Sequence, residues 1–335
     1  MMKFLSPFLL SILVSFSVYG QDPLFSQSTY IIETINPGFS GFEDSGRSYL
    51  GLIHRTQWPN LDLKINTQYF FWNESFDYGD RLGFGLGMSA LHHSESFTNY
   101  SLSQINFNYA HRVNLNNGWY FRPALELGIG YKDFAFGNLL LSDQININTG
   151  AINSSSIDPS ANLVENIFFL DISTGYVFER KTRNGVNYWI GISAKHLNRP
   201  NISFVDGENL PLDIFYSFHG NVRFPFLRDS DVQLVGNFMQ QGQYNRFDFG
   251  PLFYLKNRVL LGLNVVTNPA KNNGNNQLVT SLNGFVGLEY DDNFRFGLSY
   301  DYNLTKIGQT YGVYEFSVTY LTRCRNCYTD RKRKR

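Results

Sequence analysis

The amino-acid sequence predicts an all-β fold: a single transmembrane antiparallel β-barrel of about 14 strands, of the outer-membrane type. Three observations carry that expectation. Aromatic residues make up 17% of the chain while charged residues are held to 17%, below the roughly 25% of soluble domains, yet the mean hydropathy is only -0.25. Strands that face lipid on one side and a wet lumen on the other reconcile those values. Apolar residues recur at every second position in stretches of about ten, the period of a strand rather than a helix. Beyond residue 20, no stretch approaches the roughly 18 consecutive apolar residues of a membrane helix.

In chain order, residues 1–20 read as a signal peptide. Lys3 supplies the positive end, Phe4 to Val18 the apolar stretch, and Val18-Tyr19-Gly20 an acceptable cleavage site. No cysteine follows the apolar stretch, which argues against lipoprotein processing. Residues 21–46 are expected to form an extended N-terminal segment. Pro23 and Pro37 fix φ and remove donors, so Asp22-Pro23 and Asn36-Pro37-Gly38 favour turns and oppose helix. Phe25, Tyr30, Ile31, Ile32, Ile35 and Phe39 need cover from water. The segment therefore either plugs the lumen or periplasmic mouth, or docks on a partner.

Residues 47–322 follow as the barrel, with strands expected near 47–58, 61–74, 81–91, 99–112, 118–131, 166–179, 186–197, 213–224, 231–241, 244–255, 258–267, 278–290, 293–303 and 310–321. Trp119 to Tyr131 shows the logic. Trp119, Phe121, Leu125, Leu127 and Ile129 share one face, and Arg122, Glu126, Gly128 and Gly130 share the other. A one-residue slip would send the inward charges to lipid, where Arg or Lys costs about 2–4 kcal/mol at the bilayer centre, so register is strongly specified. With both termini periplasmic, the longest connections, 132–165, 198–212 and 268–277, face outward, while Asn114 to Gly118, Asn184-Gly185 and Asp291-Asp292 turn inward. A soluble β-sandwich also alternates, but would not set Tyr and Phe on nearly every outward position. The last segment, 323–335, is a basic periplasmic tail holding Cys324, Cys327 and Arg331 to Arg335. A single C-x-x-C is weak evidence for zinc, and an oxidising periplasm allows a local disulfide. The basic end reads as solvated, or as a contact for an acidic partner or lipid headgroups.

The N-terminal segment carries a set of fixed points: Gln21-Asp22-Pro23-Leu24-Phe25-Ser26-Gln27, Asn36-Pro37-Gly38-Phe39-Ser40-Gly41, Arg47 and Arg55-Thr56-Gln57-Trp58-Pro59. In order and spacing they resemble the PorP/SprF family, outer-membrane proteins of the type IX secretion system in Bacteroidetes, whose usual form is close to Q-D-P-x-F-S-Q, N-P-A-x-x-G and Y-R-x-Q-W. Gly38 stands where alanine is usual, and His54 where tyrosine is common. The resemblance implies a non-enzymatic outer-membrane protein without a cofactor. It would bind a secreted cargo with a type B C-terminal domain, such as a gliding adhesin, and help deliver or retain it at the cell surface. Its partners would include the type IX translocon, periplasmic ring lipoproteins and outer-membrane lipid. Two other classes fit the residues: an uptake channel for hydrophobic or small solutes, and a scaffold linking barrel to periplasmic ring.

Candidate plug or docking residues are Asp22, Pro23, Phe25, Gln27, Asn36, Pro37, Gly38, Arg47, Arg55, Gln57 and Trp58. Trp58 reads first as an interfacial anchor and second as part of a cargo surface. Inward charges form a candidate lumen network: Arg122, Lys195, Arg223, Arg246 and Arg295 against Glu126, Asp171, Asp248, Glu289, Asp301 and Glu315. An ion-selective pore favours one dominant sign, so near balance suits a hydrogen-bonded network that holds a plug, with plain solvated lumen residues as the alternative. The six histidines give no metal spacing, because the adjacent His92 and His93 point to opposite faces of a strand. Ser89 beside them carries no nucleophile-elbow pattern, so neither a catalytic nor a metal site is expected. The net charge of +0 gives no pointer to nucleic acid.

Overall fold

The computed structural model describes residues 22–42, 47–78, 82–135, 140–157, 163–182, 185–256, 258–268, 278–291, 293–305 and 311–322. The expected signal peptide, and the basic tail with Cys324 and Cys327, fall outside the described residues. The strands are β1 (Ser48–Gln57), β2 (Ile65–Tyr78), β3 (Leu82–Glu95), β4 (Ser101–Asn116), β5 (Trp119–Asp133), β6 (Asn166–Lys181), β7 (Asn187–Lys195), β8 (Phe215–Leu227), β9 (Ser230–Gln241), β10 (Tyr244–Leu255), β11 (Val259–Thr267), β12 (Val279–Tyr290), β13 (Phe294–Asn303) and β14 (Val313–Leu321). Each pairs antiparallel with its sequence neighbours, and β1 closes on β14 with Tyr49 opposite Leu321 and Gln57 opposite Val313. Closure leaves no row of unpaired backbone donors facing lipid, which is what allows strands to cross a membrane.

Alternation fixes what each face carries. In β5, Leu127 is 51% exposed and its neighbour Glu126 only 5%; in β6, β8, β13 and β14 the aromatic and aliphatic positions again point out while the polar ones are covered. The strand starts differ from expectation in one place of consequence. β2 begins at Ile65 rather than near 61, because Trp58 has a φ of 55° and Pro59 follows, which ends β1 and delays re-entry into the sheet. The turn after β4 is tighter than expected, with Asn116, Asn117 and Gly118 all at positive φ, a conformation that Asn and Gly adopt most readily. Inside β5 and β10, Pro123 and Pro251 lack a backbone donor, and one of the two flanking ladders is interrupted beside each.

The two mouths are unequal. At one, the connections are 79–81, 117–118, 182–186, 228–229, 256–258 and 291–293; at the other lie 58–64, 96–100 and 242–243 together with the long ones, 134–165, 196–214, 268–278 and 304–312. From the long connection after β7, Ile202 and Leu212 fold over the rim onto Leu102 and Phe169.

Residues 22–42 lie inside the ring of strands. They make three short 3-10 turns, Ser26–Thr29, Ile32–Thr34 and Pro37–Phe39, and meet β1, β2, β5, β7, β9 and β14, which only a position in the lumen allows. The segment starts at the long-connection mouth, where Asp22 meets His196 and Gln241, and ends at the short-turn mouth, where Phe42 lies over Arg122. Thr322 is also at the short-turn mouth, hydrogen-bonded to Ser48 and Arg47. The two ends of the described chain therefore lie at opposite mouths rather than on one side, because the segment runs down the lumen before β1 begins.

Candidate functional site: the occupied lumen

The lumen is built in layers along the N-terminal segment. At the long-connection end, the backbone N–H of Asp22 donates to Oε1 of Gln241 at 2.8 Å, and its carboxylate takes a 2.7 Å hydrogen bond from Nε2 of His196. The other ring nitrogen of His196 bonds Asp171 at 2.9 Å. Burial alone would raise the pKa of the Asp22 carboxyl, but His196, with Lys195 and Lys132 nearby, outweighs it and holds the group well below its usual range. His196 lies just past β7. Burial opposes its charge, yet the two flanking carboxylates push it up to about 10.

One layer down, a buried carboxylate is met by a turn. Both oxygens of Glu315 accept backbone N–H bonds, from Ser26 at 2.7 Å and Gln27 at 2.9 Å. Those are the donors that the start of a 3-10 turn leaves without internal partners. Arg55 donates to the same carboxylate at 2.8 Å and to Gln57 at 3.0 Å. The Gln27 side chain donates to Ser299 and to the Glu315 carbonyl, and accepts from Ser317 at 2.5 Å. The Ser26 hydroxyl donates to Asp301, which also accepts from Asn283. Phe25 and Ile31 pack beside this layer on Tyr49, Ile53, Tyr69 and Phe71.

Asn36 organises the middle. It is fully buried; its amide nitrogen donates to the carbonyls of Tyr176 and Ile192 and lies 3.0 Å from Nε2 of His219. Its amide oxygen accepts from the backbone of Gly38 at 2.7 Å, which sets the turn that Pro37 opens. Ser193 and Lys195 reach from β7 to the carbonyls of Ile35 and Thr34. Below, Phe39 packs edge-on against Trp189, and Arg122 donates to the Gly41 carbonyl while lying over the Phe42 ring and against Glu179. Glu33 accepts from Asn73.

The wall makes room for this backbone with glycine. A Cβ on Gly175 would stand 2.0 Å from the Asn36 amide oxygen, one on Gly85 would stand 1.9 Å from the Ser40 carbonyl, and one on Gly191 would stand 2.4 Å from the His219 ring. Gly38 itself sits so close to Val177 that a Cβ there would approach to 2.8 Å, a local reason for glycine at this position.

The sequence-derived candidates therefore fall into four groups. Asp22 reaches Asp171 through His196, Gln27 bonds Glu315, Gly38 lies against the Arg122 backbone, and their neighbours Ser26 and Thr34 meet Asp301, Arg55 and Lys195, while Phe25, Asn36 and Pro37 meet uncharged wall groups. Pro23 and Glu126 line a small cavity beside Asp22. Arg246 and Asp248 pair with each other along β10 at 2.7 Å, whereas Arg223 pairs with Asp231 and Arg295 with Glu289 at the short-turn mouth. There, Arg223, Arg295, Arg258, Tyr30, Glu33 and Tyr188 border a cavity of about 290 Å³. Arg47 and Trp58 bracket β1 at opposite mouths, Arg47 bonded to the Thr322 carbonyl and the Trp58 N–H to that of Gly312. His196, His219, Ser193 and Asn73 are contacts that sequence reasoning did not single out. The signal that could have found them is the set of inward glycines, which marks where a second chain segment comes close.

A model of the family described as type IX secretion system membrane protein PorP/SprF matches residues 17–320. The chain belongs to the PorP/SprF family. With the closed antiparallel barrel, this makes it an outer-membrane component of the type IX secretion system. No curated protein matches this PorP/SprF member. Among solved structures it is similar to the TodX deltaS2S3 mutant monoaromatic hydrocarbon channel, at 13% identity and a TM-score of 0.48 over 85% of this chain and 91% of that one. It is also similar to the KdgM porin, at 9% and 0.38 over 81% and 98%. CdiB from Acinetobacter baumannii follows at 9% and 0.45, over 83% of this chain and 60% of that one.

Proposed function

We propose that this PorP/SprF member binds a secreted cargo bearing a type B C-terminal domain, of the gliding-adhesin kind, and helps deliver or retain it at the cell surface. In this reading, residues 22–42 serve as a standing plug. The observation that carries it is the occupied lumen. Phe25, Ile31, Ile35 and Phe39 are buried there, each worth about 1.5–3 kcal/mol relative to water, and the polar groups between them are bonded to the wall. A lumen filled in this way favours work at the mouths and loops over passage of solute. The short-turn mouth is then the place where ring lipoproteins would make contact.

Reconstitution and display assays test the reading together. Intact protein in liposomes is expected to be closed to small solutes, and cells lacking the gene are expected to lose one large surface protein whose C-terminal domain co-purifies with the barrel. Solute flux through the intact barrel, with cargo still displayed in the deletion strain, would support the uptake channel instead. Normal display with loss of ring lipoproteins from the barrel would support the scaffold.

A further inference from the structure

We infer that the cavity of about 290 Å³ at the short-turn mouth binds an acidic peptide segment of a partner protein, whose backbone is read by Asn221 and Gln233 and whose carboxylates are met by arginines at the rim. The site faces away from the long connections, so it stands or falls apart from the cargo reading.

The cavity exists because the N-terminal segment leaves the lumen off-centre. Its last residues press on β2, β3 and β5: Gly41 lies against Ser75 and Gly85, and Phe42 lies over Arg122. At this end the inner wall from β8 to β13 is therefore uncovered. Tyr30 closes the inner end, its ring 4.9 Å from that of Phe285, so the space is a pocket and not a passage. Small-ligand pockets run to about 300–1,000 Å³, and this one, at their lower limit, takes one or two side chains with their backbone rather than a folded element.

Two amides mark the site. Asn221 and Gln233 are 6% and 7% exposed, line the cavity, and make no side-chain hydrogen bond among the described residues. Asn221 sits opposite Trp189 and Gln233 opposite Arg223, which makes the two amides diagonal neighbours on the inner wall of β8 and β9. Buried polar groups are as a rule bonded, and an amide offers both a donor and an acceptor. The complementary group is one that supplies both in return, as a peptide bond does. Charge selects the sign of the peptide. The lining carboxylates Glu33 and Glu179 are buried, Glu33 accepting from Asn73 and Glu179 held by Arg122 and Lys181. At the rim, Glu289 stands among Lys181, Arg223, Arg258 and Arg295. Arg295 lies 3.6 Å from Glu289 and Arg223 is bonded to Asp231, whereas Arg258 is exposed and forms no ion pair among the described residues. A sugar is a poorer match. Arg223 covers a face of Tyr254 at 4.5 Å, and Trp189 is 8% exposed beneath Phe39, so the rings on which a sugar would stack are already engaged.

The test uses the full-length barrel in detergent, each variant first shown to migrate as a heat-modifiable band. The protein is passed over an array of acetylated, amidated hexapeptides that scans every residue type at each position, with neutral and acidic oligosaccharides on the same support. Retention is expected on peptides rich in Asp or Glu, weakened by salt, and not on basic peptides or on sugars. The best-retained peptide is then titrated in solution by fluorescence anisotropy. Asn221→Leu, Gln233→Leu and Arg258→Glu should each weaken its binding by about tenfold, the worth of one hydrogen bond or charge contact. Arg228→Glu, in the neighbouring turn with a side chain 98% exposed and outside the lining, should leave it unchanged. Because Asn221 and Gln233 bond no other side chain or backbone group through their amides, the leucine variants should keep the urea midpoint of the native barrel, which separates a binding role from a structural one. Retention of no peptide overturns the inference, and so does a preference for basic peptides or for sugars, or binding that Asn221→Leu and Gln233→Leu leave intact. If a leucine variant does not assemble, Gln233→Glu keeps the size of the side chain and sets a charge there that should repel the same peptide.

Discussion

Asn36 illustrates what one side chain does inside this barrel. It satisfies carbonyls on two different strands and the backbone of its own turn, so Asn36→Ala leaves buried polar groups without partners, a loss of about 1–3 kcal/mol. Gly175→Ala should cost a similar amount, about 1–3 kcal/mol, because its Cβ would press on the same amide oxygen. Since both changes attack one contact, the double variant should be less destabilised than the sum; urea midpoints of the heat-modifiable band measure it. The Asp22–His196 bond makes a pH prediction with a definite sign. His196 is raised from 6.5 to about 10, so its contribution is complete below 6.5 and lost as pH rises toward 10. Asp22 is lowered from 3.8, so its contribution is complete above 3.8 and lost as pH falls below that value. Proteolysis near residues 22–27 should therefore accelerate between pH 6.5 and 10, and His196→Gln should flatten that rise. None of these partnerships was legible from spacing alone. His196 and Asp22 are 174 positions apart in the chain, and a histidine without metal spacing offers no other sign of its use.

At the scale of elements, the N-terminal segment behaves as a small lining built on three 3-10 turns. Pro23 and Asn36-Pro37-Gly38 lead one to expect extended chain or turns, whereas residues 26–39 wind into three 3-10 turns, and Gly41 adopts a φ of 68°. Its destination was not legible, because exposed apolar residues demand cover without saying whose. Removing Gln21 to Gly41 while keeping Arg47 onward should leave the strands paired and open the lumen. The expected result is steady conductance in planar bilayers where the intact protein has none, together with retained heat-modifiable migration. A sealed barrel after the deletion would mean that the segment is no plug. Arg55 and Glu315 test the wall side of the same contact. Glu315 is 1% exposed and holds both Arg55 and the turn, so Arg55→Met should strand a buried carboxylate, at about 3–5 kcal/mol. Adding Glu315→Gln should restore part of that loss, as read from the same urea midpoints.

For the whole molecule, the period-2 pattern is the governing fact. It put Leu127 outward and Glu126 inward before any pairing was known, and Leu127→Arg on the lipid face should cost up to about 2–4 kcal/mol if it lies near the bilayer centre, read as a lower urea midpoint of the heat-modifiable band. The strand number and the closed antiparallel order were legible for the same reason: each strand needs only its own alternation and a short turn to find its neighbour, so the information is local. Boundaries slipped where backbone geometry overrode pattern, as at Trp58, whose positive φ ends β1. What the sequence by itself determined was therefore the architecture and, through its N-terminal motifs, the family. What only the tertiary structure decided was the interior: that Glu315 caps a turn from residue 26, that Asn36 bridges β6 and β7, and that the chain enters the lumen from the mouth opposite β1. Those facts rest on contacts between residues up to 290 positions apart, and burial and hydrogen bonding of that kind exist only once the ring has closed around the segment.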